Sequence, residues 1–396
     1  MLLYRLTSSV SATYGPTLCI LQDSAKDKER EIAQMRTMFR NAYVTIIAAS
    51  AGKVSEGFLR DVLIGTISLS PVWRQYDGSS EPVNQRAWCL EERLLSPRSL
   101  VYASHTLQYH CQTCIVNVGG AVCGPMIGQR LPNLLLLPDP DIPSSLSKSD
   151  ERVLRWSWME VLGDYTQRVV TKPGDKLVAF AAMAEQFYRV WKSEYIAGLW
   201  RSTLVRDLLW YKDYETRYLR PEKYRAPSWS WAGVDGRIVA YTMDDRLSVD
   251  DADVEACEIL SCQITLATMF LPFGKVKSGI LVLRSVLQKA TWNPDAMMPD
   301  LYIPEEHPQT LIDDETQPSK GQTHLGYAYP DSLEDAQLDV WAIPVRWNRK
   351  LQYVAGLILT SAAEGQYRRI GHFHSPENAL GGLSWMDQEL HDVVIV

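Results

Sequence analysis

The chain has 396 residues, of which 46% are hydrophobic and 22% are charged. This length and composition allow a sizeable core and are typical of two or three domains. The formal net charge is −7 and the Lys and Arg residues are scattered, which argues against a protein held to nucleic acid by phosphate neutralisation.

The cysteine content and the targeting patterns bear on the cellular compartment. Seven cysteines form an odd and sparse set, so we expect mostly reduced thiols and a cytoplasmic location. Residues 1–15 contain Arg5 and several hydroxyl side chains where a signal peptide needs an unbroken apolar segment. No run of about twenty apolar residues occurs, so no membrane span is expected.

The first third of the chain has the pattern of an α/β unit. An apolar run at 18–21 leads into a turn, where Asp23 or Ser24 can cap a helix over 27–40. Residues 43–49 are then β-branched without alternation, as in a strand buried on both faces. Strand, helix and buried strand in this order predict a βαβ unit.

Further along, a helix is predicted over 86–95, ended by Pro97, and a strand over 101–111. The segment up to residue 150 is rich in Gly, Pro and Ser and is typical of a linker. Ser149 or Asp150 can then cap a helix running towards Val169, and helices are predicted over 176–191 and 195–210.

Beyond Tyr241 the pattern changes to short β-branched runs at 258–268, 279–286, 338–346 and 353–360. We therefore predict four parts: an α/β domain over 1–115, a linker over 116–150, a helical Trp-rich region over 151–240 and a mostly β region over 241–396. The fold is predicted to be mixed α+β overall.

None of the common catalytic motifs is present, whether Walker phosphate loop, nucleophile elbow, dinucleotide fingerprint or His-Glu-x-x-His pair. Cys111-Gln-Thr-Cys114, with His105, His110 and Cys123 nearby, has spacing that fits tetrahedral zinc. No second such pair follows, so we predict no metal and expect buried thiols on a strand and loop.

The tryptophan content, thirteen residues, also needs an explanation. Trp229 and Trp231 lie two positions apart and would share one face of an extended segment, and such a face can stack on bases or sugars. Without a basic groove, packing of both indoles in the interior is the favoured interpretation.

The stretch Arg86-Ala-Trp-Cys-Leu-Glu-Glu-Arg-Leu-Leu-Ser-Pro-Arg98 combines an indole, two acids and three arginines. On a helix, Glu91 and Glu92 lie on the same side as Trp88, three and four positions along. Two interpretations stay open: an exposed ion-pair face anchored by the indole, or a functional carboxylate.

Three stretches together resemble the fungal heterokaryon incompatibility (HET) domain family. They are Leu18-Cys-Ile-Leu-Gln-Asp-Ser24 with the following 29–35, Asn41-Ala-Tyr-Val-Thr-Ile-Ile-Ala-Ala-Ser50 with 56–59, and the stretch 86–98, which is similar to the family's Arg-x-Trp-x-x-Gln-Glu motif. The resemblance gives Cys19, Gln22, Asp23, Arg86, Trp88 and Glu91 as motif or structural residues. Segments at 175–176, 197–200, 225–232 and 368–371 also resemble long members of the family.

The resemblance implies a role in recognition of non-self between fungal strains and in the programmed cell death that follows. It also implies an α/β domain distantly similar to Toll/interleukin-1 receptor (TIR) domains, with a TIR-like or flavodoxin-like sheet. Some TIR domains cleave NAD with a glutamate, which makes Glu92 the candidate catalytic residue. Glu91 stands where the family usually has Gln.

The start of the chain departs from the family pattern. Members carry an earlier block with a Leu-Ser-Tyr-x-Trp-Gly motif and Trp-Ile-Asp before the Leu-Cys-Ile strand, where this chain has Tyr14-Gly-Pro16. The resemblance therefore implies an N-terminally truncated member whose sheet lacks its first strands.

We expect a module of non-self recognition that acts by assembly or interaction with protein partners, without nucleic acid and without a cofactor. One alternative is a TIR-like NAD-cleaving hydrolase that uses Glu92, with NAD as substrate only. Another is an inactive remnant or a truncated gene model.

Overall fold

The computed structural model of the chain describes residues 2–7, 10–14, 21, 23–52, 57, 81–104, 106–118, 130–212, 216–240, 253–293, 299–304, 322–335, 338–348, 352–363, 365–376 and 384–396. The chain forms two compact units. The first comprises Met1–Lys192 with Thr268–Gly274, and the second comprises Ser193–Ala267 with Lys275–Val396.

The first unit combines one sheet with helices. Its strands are β1 (Leu2–Thr7), β2 (Val10–Tyr14), β3 (Val44–Ile47), β4 (Arg98–Tyr102), β5 (Leu107–Cys111) and β6 (Ile115–Asn117). Its helices are α1 (Ala25–Arg40), α2 (Pro82–Gln85), α3 (Trp88–Leu95), α4 (Asn133–Leu136), α5 (Lys148–Thr166) and α6 (Ala181–Trp191). Within the described part of the chain, no helix has the length and apolar character needed to span a bilayer.

The sheet of this unit has the strand order β2-β1-β3-β4-β5-β6. Among the described strands of this sheet, β3 and β4 pair in parallel and the other pairs are antiparallel. The prediction of a TIR-like or flavodoxin-like sheet is therefore wrong. The physical reason lies in the connections, because β4, β5 and β6 follow one another through turns too short for the crossover that parallel pairing needs.

The N-terminal segment forms a hairpin of β1 and β2 whose first strand pairs with β3, with Leu3 opposite Thr45. The apolar run predicted as the first strand lies mostly outside the described residues, and Leu21 at its end belongs to no strand. The hairpin next to β3 was not predicted from the sequence, and the first strand of the predicted βαβ unit is not tested by the described residues.

Two of the predicted helices have identifiable N-terminal caps. Ser24 begins α1 and accepts a hydrogen bond from the Asp27 amide, as one of the two predicted caps. Helix α5 begins earlier than predicted, because Ser147 and Asp150 form a reciprocal capping box there. Each cap satisfies amides that the first helical turn leaves unpaired.

The second unit is built mainly of strands. They are β7 (Tyr195–Ile196), β8 (Leu199–Trp200), β9 (Tyr211–Lys212), β10 (Ile238–Val239), β11 (Asp253–Glu255), β12 (Glu258–Leu266), β13 (Val276–Val286), β14 (Gln288–Trp292), β15 (Asp300–Pro304), β16 (Gln322–Pro330), β17 (Asp339–Asn348), β18 (Tyr353–Ser361), β19 (Gln366–His374) and β20 (Leu390–Ile395). Its one short α-helix among the described residues is α7 (Leu204–Asp207).

The predicted helical Trp-rich region over 151–240 is wrong. The long helices end at Trp191, and the chain then forms the two-residue strands β7 and β8. Ala197 and Gly198 have φ angles of 49° and 105°, which turn the chain between these strands and cannot continue a helix. The helix predicted over 195–210 is therefore restricted to α7.

The Trp229–Trp231 pair is buried, as the packing interpretation predicted. Trp229 and Trp231 are fully buried, and so are Trp200 and Trp210. The Trp231 indole donates to the Gly198 carbonyl at 2.8 Å, and the Trp210 indole donates to the Trp229 carbonyl at 3.0 Å. No stacking face is left at the Trp229–Trp231 pair, because neither indole is accessible.

The C-terminal strands form a closed barrel of six strands rather than a set of separate short β runs. Strand β14 pairs with β15, β15 with β16, β16 with β19, β19 with β18, β18 with β17, and β17 with β14 again. Strand β11 extends the sheet from β17, and β20, β13 and β12 extend it from β19. The overall prediction of a mixed α+β protein holds in part, while the prediction of a helical Trp-rich region does not.

Candidate functional site

Helix α3 carries the acidic pair, and its start is fixed by backbone pairing. The Ala87 amide donates to the Val169 carbonyl at 3.0 Å, and the Val169 amide donates to the Gln85 carbonyl at 2.7 Å. The two bonds form a parallel bridge between Arg86 and Val169. The position of the first helical turn therefore depends on the segment that follows α5.

The other end of α3 is fixed by buried hydroxyl groups. The Ser96 hydroxyl donates to the Glu92 carbonyl at 2.6 Å and lies 2.7 Å from the Thr45 hydroxyl of β3. Pro97 follows and cannot continue the helix. Helix α3 is therefore held against β3, which places both glutamates in the interior of the first unit.

Glu91 has a structural partner. Its side chain is 1% exposed, and its Oε1 atom accepts from the Ala182 amide at 2.8 Å and from the Met183 amide at 3.4 Å. These amides belong to the first turn of α6, whose own N-cap residue, Phe180, makes no side-chain cap. A carboxylate at this position satisfies unpaired amides and the positive end of the helix dipole.

Burial raises the pKa of Glu91 well above its usual value, and the two backbone amides counteract that rise in part. Glu91 thus acts as a cap for α6 supplied from another helix. This contact explains its burial without any catalytic role, and it contradicts the interpretation of the stretch as an exposed ion-pair face.

Glu92 is 8% exposed and has a different environment. Its carboxylate forms no hydrogen bond and no ion pair with any described residue. Burial raises the pKa of Glu92 to about 7, although positive charge, including that of Arg86, lowers it in part. A carboxyl group with a pKa close to neutral can both accept and donate a proton at physiological pH.

Cys89 belongs to the same group of side chains. Burial raises the pKa of its thiol to about 12, and the charge of Glu92 adds to that rise while Arg86 and Arg168 lower it. A thiol with this pKa stays protonated at neutral pH and is a poor nucleophile. Sequence reasoning missed Cys89, although a residue three positions before Glu92 on a helix shares its side.

Largely buried ion pairs hold α3 to α5. Arg93 donates to Asp164 at 2.8 Å, and Asp164 also pairs with Arg168 at 2.9 Å. Arg168 in turn donates to the Val83 and Arg86 carbonyls at 3.4 Å each. Arg168 therefore stabilises the backbone at Arg86 and also neutralises Asp164.

The structure brings some of the predicted site residues together and leaves others apart. Arg86 is exposed with its charge acting on Glu92, and Trp88 is half-buried at the start of α3. Asp23 is exposed before α1 and forms no hydrogen bond with Glu91 or Glu92. Cys19 and Gln22 lie outside the described residues.

The described residues of this region form no metal centre. No group of three or more His, Cys, Asp or Glu side chains within them has metal-binding geometry. The chemistry that the arrangement offers is a buried carboxyl that can exchange a proton near neutral pH.

Residues 16–92 match the family model described as heterokaryon incompatibility protein (HET). The chain therefore carries a HET domain segment. The match ends at Glu92 and so includes Arg86, Trp88, Glu91 and the candidate carboxyl itself. The HET segment supports a function of the heterokaryon-incompatibility type. Neither the curated proteins nor the solved structures gave a match.

Proposed function

We propose that this HET protein is a signalling module of fungal non-self recognition and programmed cell death, which acts in the cytoplasm by self-association. The proposal rests on the HET segment and on one edge of the sheet in the first unit. The HET match supports the biological process, and the sheet edge supports the mode of action.

Strand β6 ends the described sheet and pairs only with β5. Its outward residue Val116 is 44% exposed, and Val118 just after it is 57% exposed. The segment 115–118 contains no charge and no proline, the usual devices that prevent edge strands from pairing with another chain. Such an edge favours association with a second copy of the sheet.

A second candidate function is cleavage of NAD at its glycosidic bond, and Glu92 is the observation that favours it. The carboxyl is buried and has a pKa near neutral, and it makes no hydrogen bond or ion pair with any described residue. Buried carboxyls with perturbed pKa values are concentrated at functional sites. A carboxylate at the reacting carbon would stabilise the oxocarbenium-like charge that develops as the bond breaks.

The two functions make opposite predictions for two substitutions. Val116→Lys places a charge on the β6 edge, whereas Glu92→Ala removes the carboxyl. Val153→Lys serves as the matched control, since Val153 is a valine on α5 that is 50% exposed. Each full-length variant is expressed in a fungal host, and cell death is scored with a vital stain.

The purified variants are also compared by sedimentation velocity and by nicotinamide release from NAD. If the protein acts by assembly, Val116→Lys abolishes both self-association and toxicity, while Glu92→Ala and Val153→Lys retain both. Loss of toxicity and of nicotinamide release in Glu92→Ala alone would replace this proposal by the hydrolase. A parent chain that is monomeric, non-toxic and without cooperative unfolding would indicate an inactive remnant.

A further inference from the structure

The turn between β5 and β6 carries two cysteines whose sulfur atoms almost touch. The Cys111 amide donates to the Cys114 carbonyl at 2.9 Å, which closes the hairpin over Gln112 and Thr113. The two Sγ atoms are 3.4 Å apart. A disulfide needs a sulfur–sulfur distance of about 2.05 Å, so a small movement of the side chains would join them.

The pair in the first unit is accessible, unlike the two described cysteines of the second unit. Cys114 is exposed and Cys111 is half-buried, whereas Cys257 and Cys262 are buried. The expectation of buried thiols on a strand and loop is therefore wrong for this pair. The reason is its place in the turn of the last described hairpin of the sheet.

The surroundings of the two sulfur atoms differ. The Thr113 hydroxyl lies 3.3 Å from the Cys111 Sγ atom, and the Cys114 amide donates to the same sulfur at 3.4 Å. These contacts, with that of Thr113 first among them, lower the pKa of Cys111 to about 6. The hydrogen bond with Cys111 raises the pKa of Cys114.

A metal site is the other use of a Cys-x-x-Cys pair, and the described residues do not provide it. A structural zinc ion takes four ligands, and no third His, Cys, Asp or Glu of the described chain completes a group with these thiols. His110, the adjacent histidine, is hydrogen-bonded to Gln108 at 3.0 Å instead. The geometry is that of a dithiol.

We infer that Cys111 and Cys114 form a redox-active dithiol that exchanges with disulfides and closes into an intramolecular disulfide. The site goes beyond the proposed signalling function and takes a low-molecular-weight disulfide, of the glutathione class, as its oxidant. Cys111 is the attacking thiol and Cys114 is the resolving thiol.

The reaction has two balanced steps. The Cys111 thiolate attacks one sulfur of the oxidant, forming a mixed disulfide and releasing one thiolate. The Cys114 thiol then loses its proton to solvent and attacks the Cys111 sulfur, which forms the Cys111–Cys114 bond and releases the second thiolate. The dithiol loses two electrons, and the small disulfide is reduced to two thiols.

The experiment measures the exchange on the reduced full-length protein with glutathione disulfide at pH 6. After acid quenching, free thiols are blocked with N-ethylmaleimide and the tryptic peptide 99–130 is fragmented by mass spectrometry, which also separates Cys123. The variants are Cys111→Ser and Cys114→Ser, with Cys257→Ser as the control at a buried thiol.

For the inferred roles, the parent and Cys257→Ser form the Cys111–Cys114 disulfide, and Cys114→Ser accumulates one glutathione on Cys111. At pH 6 a thiol with a pKa of about 6 is half ionised, against about one part in a thousand for the ordinary value of 9.0. Lower nucleophilicity offsets part of this advantage, so the adduct should form roughly twentyfold faster than the adduct on Cys114 in Cys111→Ser.

Three results would overturn the inference. Absence of the intramolecular disulfide in the parent would exclude the dithiol function, and equal adduct rates in the two serine variants would exclude the assigned roles. Stoichiometric zinc in the purified parent that is lost from both serine variants would identify a metal site instead.

Discussion

Replacement of Glu92 by glutamine should stabilise the first unit at alkaline pH and leave it unchanged at acidic pH. Burial raises the pKa of this carboxyl from 4.5 to about 7, so the folded state binds its proton more tightly than the unfolded state does. The stabilising contribution of the protonated carboxyl is fully present below pH 4.5 and is lost as the pH rises to about 7.

The magnitude follows from that shift. A rise of the pKa from 4.5 to about 7 corresponds to roughly 3 kcal/mol of folding free energy that the ionised carboxylate removes above pH 7. Glutamine has nearly the same shape and no charge, so Glu92→Gln should avoid this loss. In a unit of this size, about 3 kcal/mol raises the melting temperature by roughly 6–12 °C.

Scanning calorimetry of the full chain at pH 5 and pH 8 measures the effect. Glu160→Gln is the control, because Glu160 is exposed on α5 and its replacement should change stability by less than about 0.5 kcal/mol. Two results would show that the ionised carboxylate is already compensated in the folded state. One is a Glu92→Gln variant that melts at a lower temperature than the parent at pH 8. The other is a variant whose melting temperature exceeds that of the parent by the same amount at pH 5 and at pH 8. The candidate site would then lose its main physical support.

Four other substitutions test the packing within the two units, each by chemical denaturation. Gly198→Ala should destabilise the second unit by more than about 3 kcal/mol, since the added Cβ would lie 2.5 Å from a buried indole at a φ of 105°. Gly365→Ala, with a φ of 70° and open space, should cost only about 1–2 kcal/mol, and equal costs would contradict this reasoning. Arg369→Met should cost about 3 kcal/mol, because it removes the cation 3.1 Å from the buried Asp331 and leaves that carboxylate only Arg220, at 3.7 Å; a neutral result would refute that pairing. Ser147→Ala should remove the capping box of α5 at about 1 kcal/mol, and no loss would mean that the cap is replaced by water.

Elements defined by local pattern were predictable from the sequence. The spacing of Met35 and Phe39 places both on the buried side of α1, where the structure has them. The β-branched run at 43–49 contains β3, and the acidic pair lies on a helix that ends before Pro97 as predicted. In each case the signal comes from residues within one element.

Features that depend on distant partners were not predictable. Closure of the barrel requires β14 to pair with β17, with Gln288 opposite Ala342, and no local pattern encodes that choice. The positive φ angles of Ala197 and Gly198 replaced a predicted helix by a turn, because the glycine also provides room for the Trp231 indole. The apolar composition of 195–210 is therefore compatible with a helix, but the contact between Gly198 and Trp231 excludes one.

The same limit applies to the candidate site. The sequence placed Glu91 and Glu92 on one helix but gave no means to distinguish them, since their roles depend on which neighbour each one meets. The amides of Ala182 and Met183 bind Glu91, about ninety residues further along the chain. The likeness to the family selected Glu92, and the geometry adds a physical difference between the two acids.

The bridge between Arg86 and Val169 has a practical consequence for work on isolated pieces of the protein. A fragment cut at the limits of the family match, 16–92, would keep both acids and lose the backbone at Val169 and the amides of α6. Glu91 would then be an orphan carboxylate facing water, and the first turn of its helix would be free to fray. Toxicity or activity assays on that fragment would therefore not measure the properties of the intact unit, in which these contacts are present.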